Sequence, residues 1–447
     1  MANVVKLKSG LSLCLAGAAA PKVEKTVVSD TVAIIPDNYH GVVPKVVVKP
    51  GDMVKVGTAV MYDKNHPEVQ FVSPVSGEVV AVERGERRKV MKIVIKSDGK
   101  AEAVAFEKAT SATEVKELLL QAGMWAYIKQ RPYDIIADPA VEPRNIFVTA
   151  FDNAPLAPAY AYEALKGEEA KAFAEGLAAL QLLTQGKVYV GVEAGNEVKV
   201  PAGVEVVAFK GKFPACNAGV QAHHIAPVNK GETIWTLNAL DVVVMGRLLL
   251  TGRVDMMRTV AITGSEIAAP AYVRALPGTP MTDLLKDNLI EGDYARRVIS
   301  GNVLTGTNVS IEGYLGAYHS HVTVIPEGND THEFLGWAMP GFKALTTSRT
   351  FFSRWMPCRN RKPDARLHGG ERAIIMSEEY DRVFPMDILP EYLVKAVIAF
   401  DIDRMEQLGI YEVAPEDFAA CEFVDTSKLP LQEIVRKGLD ALRKEMN

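Results

Sequence analysis

The distribution of apolar and polar residues predicts alternating helices and strands between residues 101 and 258. Residues 113–123 predict a helix, because an acidic first turn opens the segment and a glycine closes it. The predicted helices cover 113–123, 157–184 and 235–250, and the predicted strands cover 146–150, 188–192 and 204–209. Strands alternating with helices are typical of an α/β layer domain, and we predict a Rossmann-like arrangement here.

Residues 31–100 are rich in strands and are punctuated by glycine turns. The β-branched runs are 46–48 and 79–82, and the turns are 50–52 and 76–78. The order of these motifs resembles the barrel-sandwich fold of biotinyl and lipoyl domains. Modified members of that group present a lysine at a hairpin tip. Lys64 lies near this place, but its neighbours are Asp63 and Asn65, so we predict that the fold is kept for structure, without lipoylation or biotinylation.

The remaining segments complete the prediction of a multidomain α+β fold. Residues 273–285 and 299–306 resemble a β-grasp module of the soluble-ligand-binding (SLBB) type, and helical patterns return at 389–408 and 431–446. The run 11–20 mimics a signal peptide, but its many Ala and Gly favour a short buried strand or arm. The predicted divisions are an arm at 1–30, a barrel-sandwich at 31–100, a Rossmann-like domain at 101–258, a β-grasp domain at 259–325 and a helical domain at 326–447.

Charge and composition exclude several classes of function. The net charge is −5, which argues against nucleic acid as a partner, because nucleic acid requires a broad basic face. No uncharged apolar run reaches about 18 residues, so we predict no transmembrane segment. The four cysteines are widely separated and form no CxxC motif, a pattern that fits a reducing compartment and neither a disulfide framework nor a zinc site. They are Cys14, Cys216, Cys358 and Cys421.

Two C-terminal segments, around 374–390 and 415–431, have the shape of ferredoxin cluster motifs but almost none of the cysteines. A bacterial motif spaces its thiolates as C-x2-C-x2-C-x3-C-P. The positions that this spacing gives to ligands are Ile374, Ser377, Tyr380 and Phe384 in the first segment, and Pro415, Phe418, Cys421 and Asp425 in the second. One thiol cannot hold a cluster. We therefore predict that the helical domain resembles a ferredoxin-like module without clusters.

The combination of these modules resembles one family in particular, the A subunits of the Na+-translocating NADH:quinone oxidoreductases (Na+-NQR). The sharpest stretches are 297–306, 334–341 and 385–390. The C subunit of Rnf redox pumps and the NADH-binding flavoprotein subunit of complex I share much of the same architecture. The resemblance implies a peripheral subunit on the cytoplasmic face of the bacterial inner membrane, docked chiefly to the multi-span B subunit. It also implies a supporting role near the quinone-reducing end of a complex that passes electrons from NADH to quinone and exports Na+.

The same resemblance implies that this chain carries no cofactor and no catalytic residue of its own. NAD, FAD, FMN, riboflavin, the iron–sulfur centre, quinone and Na+ would then be handled by other subunits. Flavin-binding relatives place a glycine-rich loop after the first helix of the α/β domain, where backbone must approach the flavin closely. This chain keeps Gly123 alone and has Trp125 and Tyr127 in that region. These two aromatics and Phe151 could line a quinone site or serve equally well as core.

Several polar residues have both a chemical and a structural interpretation. His223 and His224 are predicted to lie in a loop, where adjacent histidines point apart and metal binding is disfavoured. His319 and His321 are predicted to share one face of a strand, as a two-histidine metal edge or, more in keeping with the pattern, as half-buried structural residues. Cys358 lies beside arginines that would lower the pKa of a thiol, but no histidine base is near it in the sequence.

A basic and aromatic segment is the best candidate for an interaction surface. Between residues 343 and 372 there are eight Lys and Arg and two acidic residues. The candidate contact residues are Arg349, Phe351, Phe352, Arg354, Trp355, Arg359, Arg361 and Lys362. This segment is either a solvated loop or a surface for anionic lipid headgroups or a membrane subunit. Two other functions stay open at this point: a free-standing ligand-binding protein built on the β-grasp domain, and a redox subunit of the Rnf type.

Overall fold

The first 30 residues supply strands to two separate sheets. The computed structural model describes residues 4–20, 22–157, 165, 167–329, 339–342, 344–347, 351–357 and 359–446. Strands β1 (Val4–Lys6) and β2 (Val23–Thr26) flank a stretch in which Leu11 and Leu15 are buried. Cys14 is disulfide-bonded, whereas Cys216 and Cys421 are free. The sequence predicted no disulfide framework, and it did not indicate the bond at Cys14, because spacing along the chain does not report which distant segments the fold brings together.

Two small sheets face each other in the next 67 residues. The strands are β3 (Thr31–Ile34), β4 (Pro44–Val46), β5 (Met53–Val54), β6 (Ala59–Asp63), β7 (Gln70–Val72), β8 (Gly77–Arg84) and β9 (Val90–Ser97). One sheet has the order β3-β9-β8-β5 and the other β4-β6-β7. Gly77 is required at the start of β8, because a Cβ there would lie 1.9 Å from the carbonyl oxygen of Lys96. The predicted barrel-sandwich is confirmed.

A mixed seven-stranded sheet forms the centre of the α/β domain. Its elements are α1 (Ala112–Gln121), β10 (Lys129–Arg131), β11 (Ile135–Ile136), β12 (Ile146–Thr149), α2 (Glu168–Leu182), β13 (Val188–Glu193), β14 (Glu205–Lys210), α3 (Ala218–Ile225), β15 (Ile234–Asn238) and α4 (Ala239–Thr251). The order is β1-β14-β13-β12-β15-β10-β11. The first five strands are parallel, and β10 and β11 are added antiparallel.

The boundaries of two predicted helices in this domain differ from the structure. The helix predicted over 235–250 begins only at Ala239, because Trp235 to Asn238 belong to β15 between β12 and β10. The Asn238 side chain then caps α4 by accepting a hydrogen bond from the Leu240 amide at 3.0 Å. Within the helix predicted over 157–184, the structure shows helix α2 over Glu168–Leu182. Residues 158–164 and 166 lie outside the described part of the chain.

The β-grasp region is a six-stranded sheet that includes a strand from the N-terminal arm. Its elements are β16 (Arg258–Thr263), β17 (Ala271–Ala275), the short helix α5 (Met281–Leu284), β18 (Arg296–Ser300), β19 (Thr307–Asn308) and β20 (His321–Pro326). The order is β19-β18-β20-β16-β17-β2. The arm is therefore divided between the α/β sheet, through β1, and this sheet, through β2.

Among the described residues, the C-terminal part is closed by the helices α6 (Pro390–Ile398), α7 (Ile402–Gln407), α8 (Ala419–Val424) and α9 (Leu431–Met446). The single helix predicted over 389–408 is wrong. The chain turns at Phe400, which has a φ of +56°, and Asp401 caps the next helix. One apolar cluster joins these helices to the α/β domain, with Phe151, Phe209 and Phe213 on one side and Leu393 and Leu439 on the other. None of the described helices is long and apolar enough to cross a membrane.

Candidate functional site

The loop after α1 is filled by aromatic side chains. Trp125 is fully buried, and its indole Nε1 donates a hydrogen bond to the Ala137 carbonyl oxygen at 2.7 Å. Its ring meets Trp235 edge-on, with 5.2 Å between centroids. A Cβ on Gly123, which has a φ of +73°, would lie 3.0 Å from the Val72 side chain. The remaining glycine therefore faces the barrel-sandwich, and the Trp125 ring packs against Trp235 beside it.

A buried polar cluster lies beside this loop, where three domains meet. Tyr127 and Tyr39 each meet the Tyr318 ring edge-on at 5.8 Å, and the Tyr318 hydroxyl donates to the Ala126 carbonyl at 2.6 Å. The Arg258 guanidinium lies over the Tyr127 ring and 3.2 Å from an Asp241 oxygen. Burial raises the pKa of Asp241 to about 6 despite the attraction of Arg258. The cavity at this junction is only about 30 Å³, which holds one water molecule.

The three aromatics considered for a quinone site do not converge. Trp125 and Tyr127 belong to the apolar cluster shared by the barrel-sandwich and the α/β domain. Phe151 belongs to the cluster shared with the C-terminal helices. All three are buried, so the structure favours the interpretation of these residues as core.

The residues at the ligand positions of the two cluster-like segments pack together in the C-terminal domain. The Phe384 and Phe418 rings are 5.0 Å apart, so the two segments lie against each other. Tyr380 and Cys421 are buried beside them, and burial raises the pKa of the Cys421 thiol. Asp425 is buried and accepts hydrogen bonds from the backbone amides of Ser427 and Leu429. The three other positions, Ile374, Ser377 and Pro415, are half-buried.

A buried ion pair that the sequence did not indicate docks this core onto the α/β domain. Arg131, on β10, is 1% exposed, and its Nη1 lies 3.3 Å from Oδ2 of the fully buried Asp417. Asp417 also accepts from the Asn217 side-chain amide at 2.8 Å and from the Ala414 backbone amide at 2.9 Å. Arg131 and Asp417 are 286 residues apart, so no local pattern could reveal the pair.

The paired histidines join the same two domains. His223 and His224 end helix α3, so the loop prediction is wrong. His223 Nδ1 lies 2.8 Å from a Glu412 oxygen, and its Nε2 accepts from the Asp387 amide. His224 Nε2 lies 2.8 Å from the Pro385 carbonyl oxygen, and burial lowers the pKa of this ring. Both side chains therefore have structural partners.

His319 and His321 differ from the strand pair that was predicted. His321 begins β20, but His319 lies in the preceding turn. His319 Nδ1 lies 2.8 Å from the Ser300 hydroxyl, and His321 Nε2 lies 2.8 Å from the Thr263 hydroxyl. Burial lowers the pKa of His319 to about 4 and that of His321 to about 3. Among the residues that the structure describes, no group of three His, Cys, Asp or Glu could hold a metal ion.

The basic and aromatic segment exposes several large side chains. Phe352 is 58% exposed and Trp355 is 69% exposed, and Phe352 stacks on Phe342 at 5.5 Å. Phe351 is half-buried, whereas Arg354, Arg359 and Lys362 are exposed. Arg349 and Cys358 lie outside the described residues.

Arg361 has a different position from its neighbours in this segment. Its guanidinium donates to the Phe342 carbonyl at 2.6 Å and to the Ser353 carbonyl at 3.3 Å. Its backbone pairs with the N-terminal arm, through the Cys14 carbonyl and the Ala16 amide. Arg361 therefore attaches the segment to the arm.

Lys64 is exposed in the turn between β6 and β7. The turn is fixed to the domain, because Asp63 Oδ1 accepts from the amides of Val43 and Asn65, and the Lys64 amide donates to the Val43 carbonyl.

Comparison with known proteins agrees with this arrangement of domains. Residues 5–98 match the NqrA N-terminal barrel-sandwich hybrid domain, residues 110–254 the NqrA second alpha/beta domain and residues 259–310 the NQRA C-terminal domain. The A subunit of the Na(+)-translocating NADH-quinone reductase from Neisseria meningitidis serogroup A is 36% identical over 452 residues, covering 99% of this chain and all of the relative. The Yersinia pestis protein of the same name is 35% identical, with the same coverage.

Similarity to solved structures is much weaker. An NAD+-reducing NiFe-hydrogenase in its H2-reduced state has a TM-score of 0.39 and 10% identity, covering 75% of this chain and 61% of that one. That likeness supports no statement about fold or function. The full-length relatives and the three domain matches show the family: this chain belongs to the NqrA family, the A subunits of Na(+)-translocating NADH-quinone reductases.

Proposed function

We propose that this chain is a peripheral, cofactor-less docking subunit of a Na+-translocating NADH:quinone reductase. It supports electron transfer from NADH to quinone, coupled to Na+ export, at the quinone-reducing end of the complex and on the cytoplasmic face of the bacterial inner membrane. The proposal is supported by the packing of protein side chains in the two regions where the resemblance to cofactor-binding relatives would place a flavin and clusters. Trp125 occupies the loop after α1, and Phe384 and Phe418 pack together where clusters would need thiolates.

The finer description of the two domains belongs to the same proposal. The five parallel strands with α2 and α4 packed closely together support a Rossmann-like α/β domain. The two cluster-like segments packed face to face support a ferredoxin-like module that has lost its clusters. Both domains are then retained as packing surfaces, and NAD, FAD, FMN, riboflavin, the iron–sulfur centre, quinone and Na+ are bound on other subunits.

The surface that we assign to partner binding is the exposed part of the basic segment. Arg354, Arg359 and Lys362 add positive charge beside Phe352 and Trp355. Each basic residue near an anionic membrane surface contributes about 1 kcal/mol, and exposed aromatics are enriched at the centres of protein interfaces. At the membrane, this surface would meet the multi-span B subunit. A direct contact with quinone has no converging aromatic pocket to support it in the described residues.

Deletion of this chain tests the functional role. Na+-dependent NADH:quinone reductase activity of membranes should be lost, whereas NADH oxidation by an artificial acceptor should persist, because the cofactors sit elsewhere. Unchanged quinone reduction without this chain would contradict the role, and it would favour a free-standing ligand-binding protein.

Charge reversal tests the partner surface. The double variant Arg354→Glu/Arg359→Glu should reduce the amount of chain that co-purifies with the membrane subunits. The matched control is Lys49→Glu/Lys108→Glu, which reverses two exposed charges outside this segment. Equal retention of both variants would reject the assignment of the surface.

A further inference from the structure

A polar cleft of about 270 Å³ lies where the barrel-sandwich, the edge of the α/β sheet and helix α9 meet. We name it the hairpin cleft and define it by its polar lining residues His40, Asp63, His66, Gln130, Asp138 and Arg443. It is smaller than the range of about 300–1,000 Å³ for drug-sized ligands. Its size therefore suits a small metabolite.

One wall of the hairpin cleft is the β6–β7 turn, the turn that in biotinyl and lipoyl domains carries the modified lysine. In this chain the turn lies against the α/β domain. His66 Nδ1 lies 3.8 Å from Asp138 Oδ1 on the α/β domain, and the Asp63 carboxylate is 6% exposed. A second contact between domains closes the same side, where His40 Nε2 lies 2.8 Å from Asp440 on α9. The β6–β7 turn is therefore held in place as one wall of the cleft.

The deepest polar groups of the cleft have unused hydrogen-bonding capacity. Gln130 is 8% exposed, and its Oε1 accepts from the Asp138 amide at 2.8 Å. Its Nε2 has no partner among the described residues. Asp63 uses Oδ1 for two backbone amides, and its Oδ2 has no partner within the same part of the chain. Both atoms keep contact with solvent in the cleft, so a polar ligand that enters it can form hydrogen bonds with them.

Both signs of charge face the cleft. Arg443 is half-buried and makes no hydrogen bond or ion pair with any described residue. Its guanidinium stands beside Gly41, where a Cβ would come within 3.0 Å of Nη1. Asp63 and Asp138 bring carboxylates to the same cleft. A simple anion would be repelled by these two acids, and a simple cation by Arg443, so a ligand that carries both charges matches the lining best.

We propose that the hairpin cleft binds a free α-amino acid. The carboxylate of the ligand accepts hydrogen bonds from the Arg443 guanidinium and the Gln130 amide, and its ammonium group donates to Asp63 and Asp138. Charge-assisted hydrogen bonds of this kind are the strong ones, and a guanidinium can hold a carboxylate by two parallel bonds. The site is separate from the partner surface of the basic segment, so it does not depend on the proposed role in the complex.

The test uses the full-length purified chain and the twenty common amino acids, screened singly for a rise in thermal unfolding temperature. The best amino acid is then titrated by calorimetry beside two derivatives, its N-acetyl form, which lacks the ammonium charge, and its amide, which lacks the carboxylate. We expect the parent amino acid to bind and each derivative to bind at least about tenfold more weakly, because one charged hydrogen bond contributes about 1.5–3 kcal/mol. Failure of all twenty amino acids to bind would overturn the proposal.

Variants locate the binding. Arg443→Met and Asp63→Asn should each weaken binding at least about tenfold, by the same reasoning. Lys444→Met, which removes an exposed charge from the adjacent position, should leave it unchanged. Asparagine at position 63 keeps an acceptor oxygen for Val43 and Asn65, and the unfolding temperature of each variant without ligand confirms that it folds. Binding that survives both cleft variants, or equal binding of the N-acetyl derivative, would refute the assignment.

Discussion

Removal of Asp417 should weaken the docking of the C-terminal helices onto the α/β domain. Arg131 is 1% exposed and Asp417 is fully buried, so the variant Asp417→Ala leaves a buried guanidinium without its main partner. Breaking a buried ion pair in this way costs about 3–5 kcal/mol. Glu416 stays 3.6 Å from the other end of Arg131 and is 43% exposed, so it compensates only in part. We therefore expect a loss near the lower limit, about 3 kcal/mol.

Native-state hydrogen exchange is the appropriate assay, because a chain with several domains does not unfold in two states. Amides of α9 around the fully buried Leu439 and Leu442 report the opening of the C-terminal module. A loss of about 3 kcal/mol reduces their protection roughly 150-fold, at about 1.4 kcal/mol per factor of ten. Adding Arg131→Met to Asp417→Ala should restore part of the protection, because it removes the stranded charge.

The control is Asp403→Ala, which removes an exposed carboxylate from the first turn of α7. It should change the free energy of opening by less than about 1 kcal/mol. If Asp417→Ala had no larger effect than this control, or if the second substitution added a further full loss, the ion pair would not hold the two domains together.

Three further outcomes follow from burial and close packing. Trp125→Ala should lower the free energy of opening of the α/β domain by about 3–5 kcal/mol, whereas Trp355→Ala, at an exposed position, should change it by less than about 0.5 kcal/mol in native-state hydrogen exchange; equal effects would contradict the core position of Trp125. Gly246→Ala should lower the stability of the folded chain by about 2 kcal/mol or more, because the added Cβ would lie 1.7 Å from the Ala172 carbonyl oxygen. The control is Gly370→Ala, whose added Cβ would meet nothing within 4 Å, and the two variants are compared by thermal unfolding. The low pKa values of His319, about 4, and His321, about 3, mean that the unfolded chain binds more protons below about pH 6.5, so stability should fall as the pH drops from about 7 to about 4, by about 1 kcal/mol per pH unit for each ring. His321→Gln should reduce that slope by about half in thermal unfolding measured across the same range, because His319 remains, and an unchanged slope would refute the assignment.

The elements that the sequence predicted correctly are those with strong local signals. The helix predicted over 113–123 is present as α1, and its acidic first turn is part of a capping box between Ser111 and Glu114. Gly252 ends α4 in the left-handed conformation that the sequence indicated. The last helix has the predicted bounds, Leu431–Met446.

The errors come from contacts between distant segments. The Trp235–Asn238 stretch carries apolar residues that suit a helix or a strand, and only its place between two other strands makes it β15. His223 and His224 lie in the last turn of a helix, and their partners Glu412 and Pro385 come from the distant C-terminal domain. The missing cysteines and glycines were visible in the sequence, but the Arg131–Asp417 pair and the hairpin cleft exist only once the chain is folded.

The central claim is that protein side chains have replaced the flavin and the clusters in this subunit. The most direct measurement is the flavin and iron content of the full-length chain, purified without its companion subunits, together with its visible absorption spectrum. We expect a colourless protein with neither flavin nor iron in stoichiometric amount. Flavin or iron bound at one equivalent per chain would contradict the account.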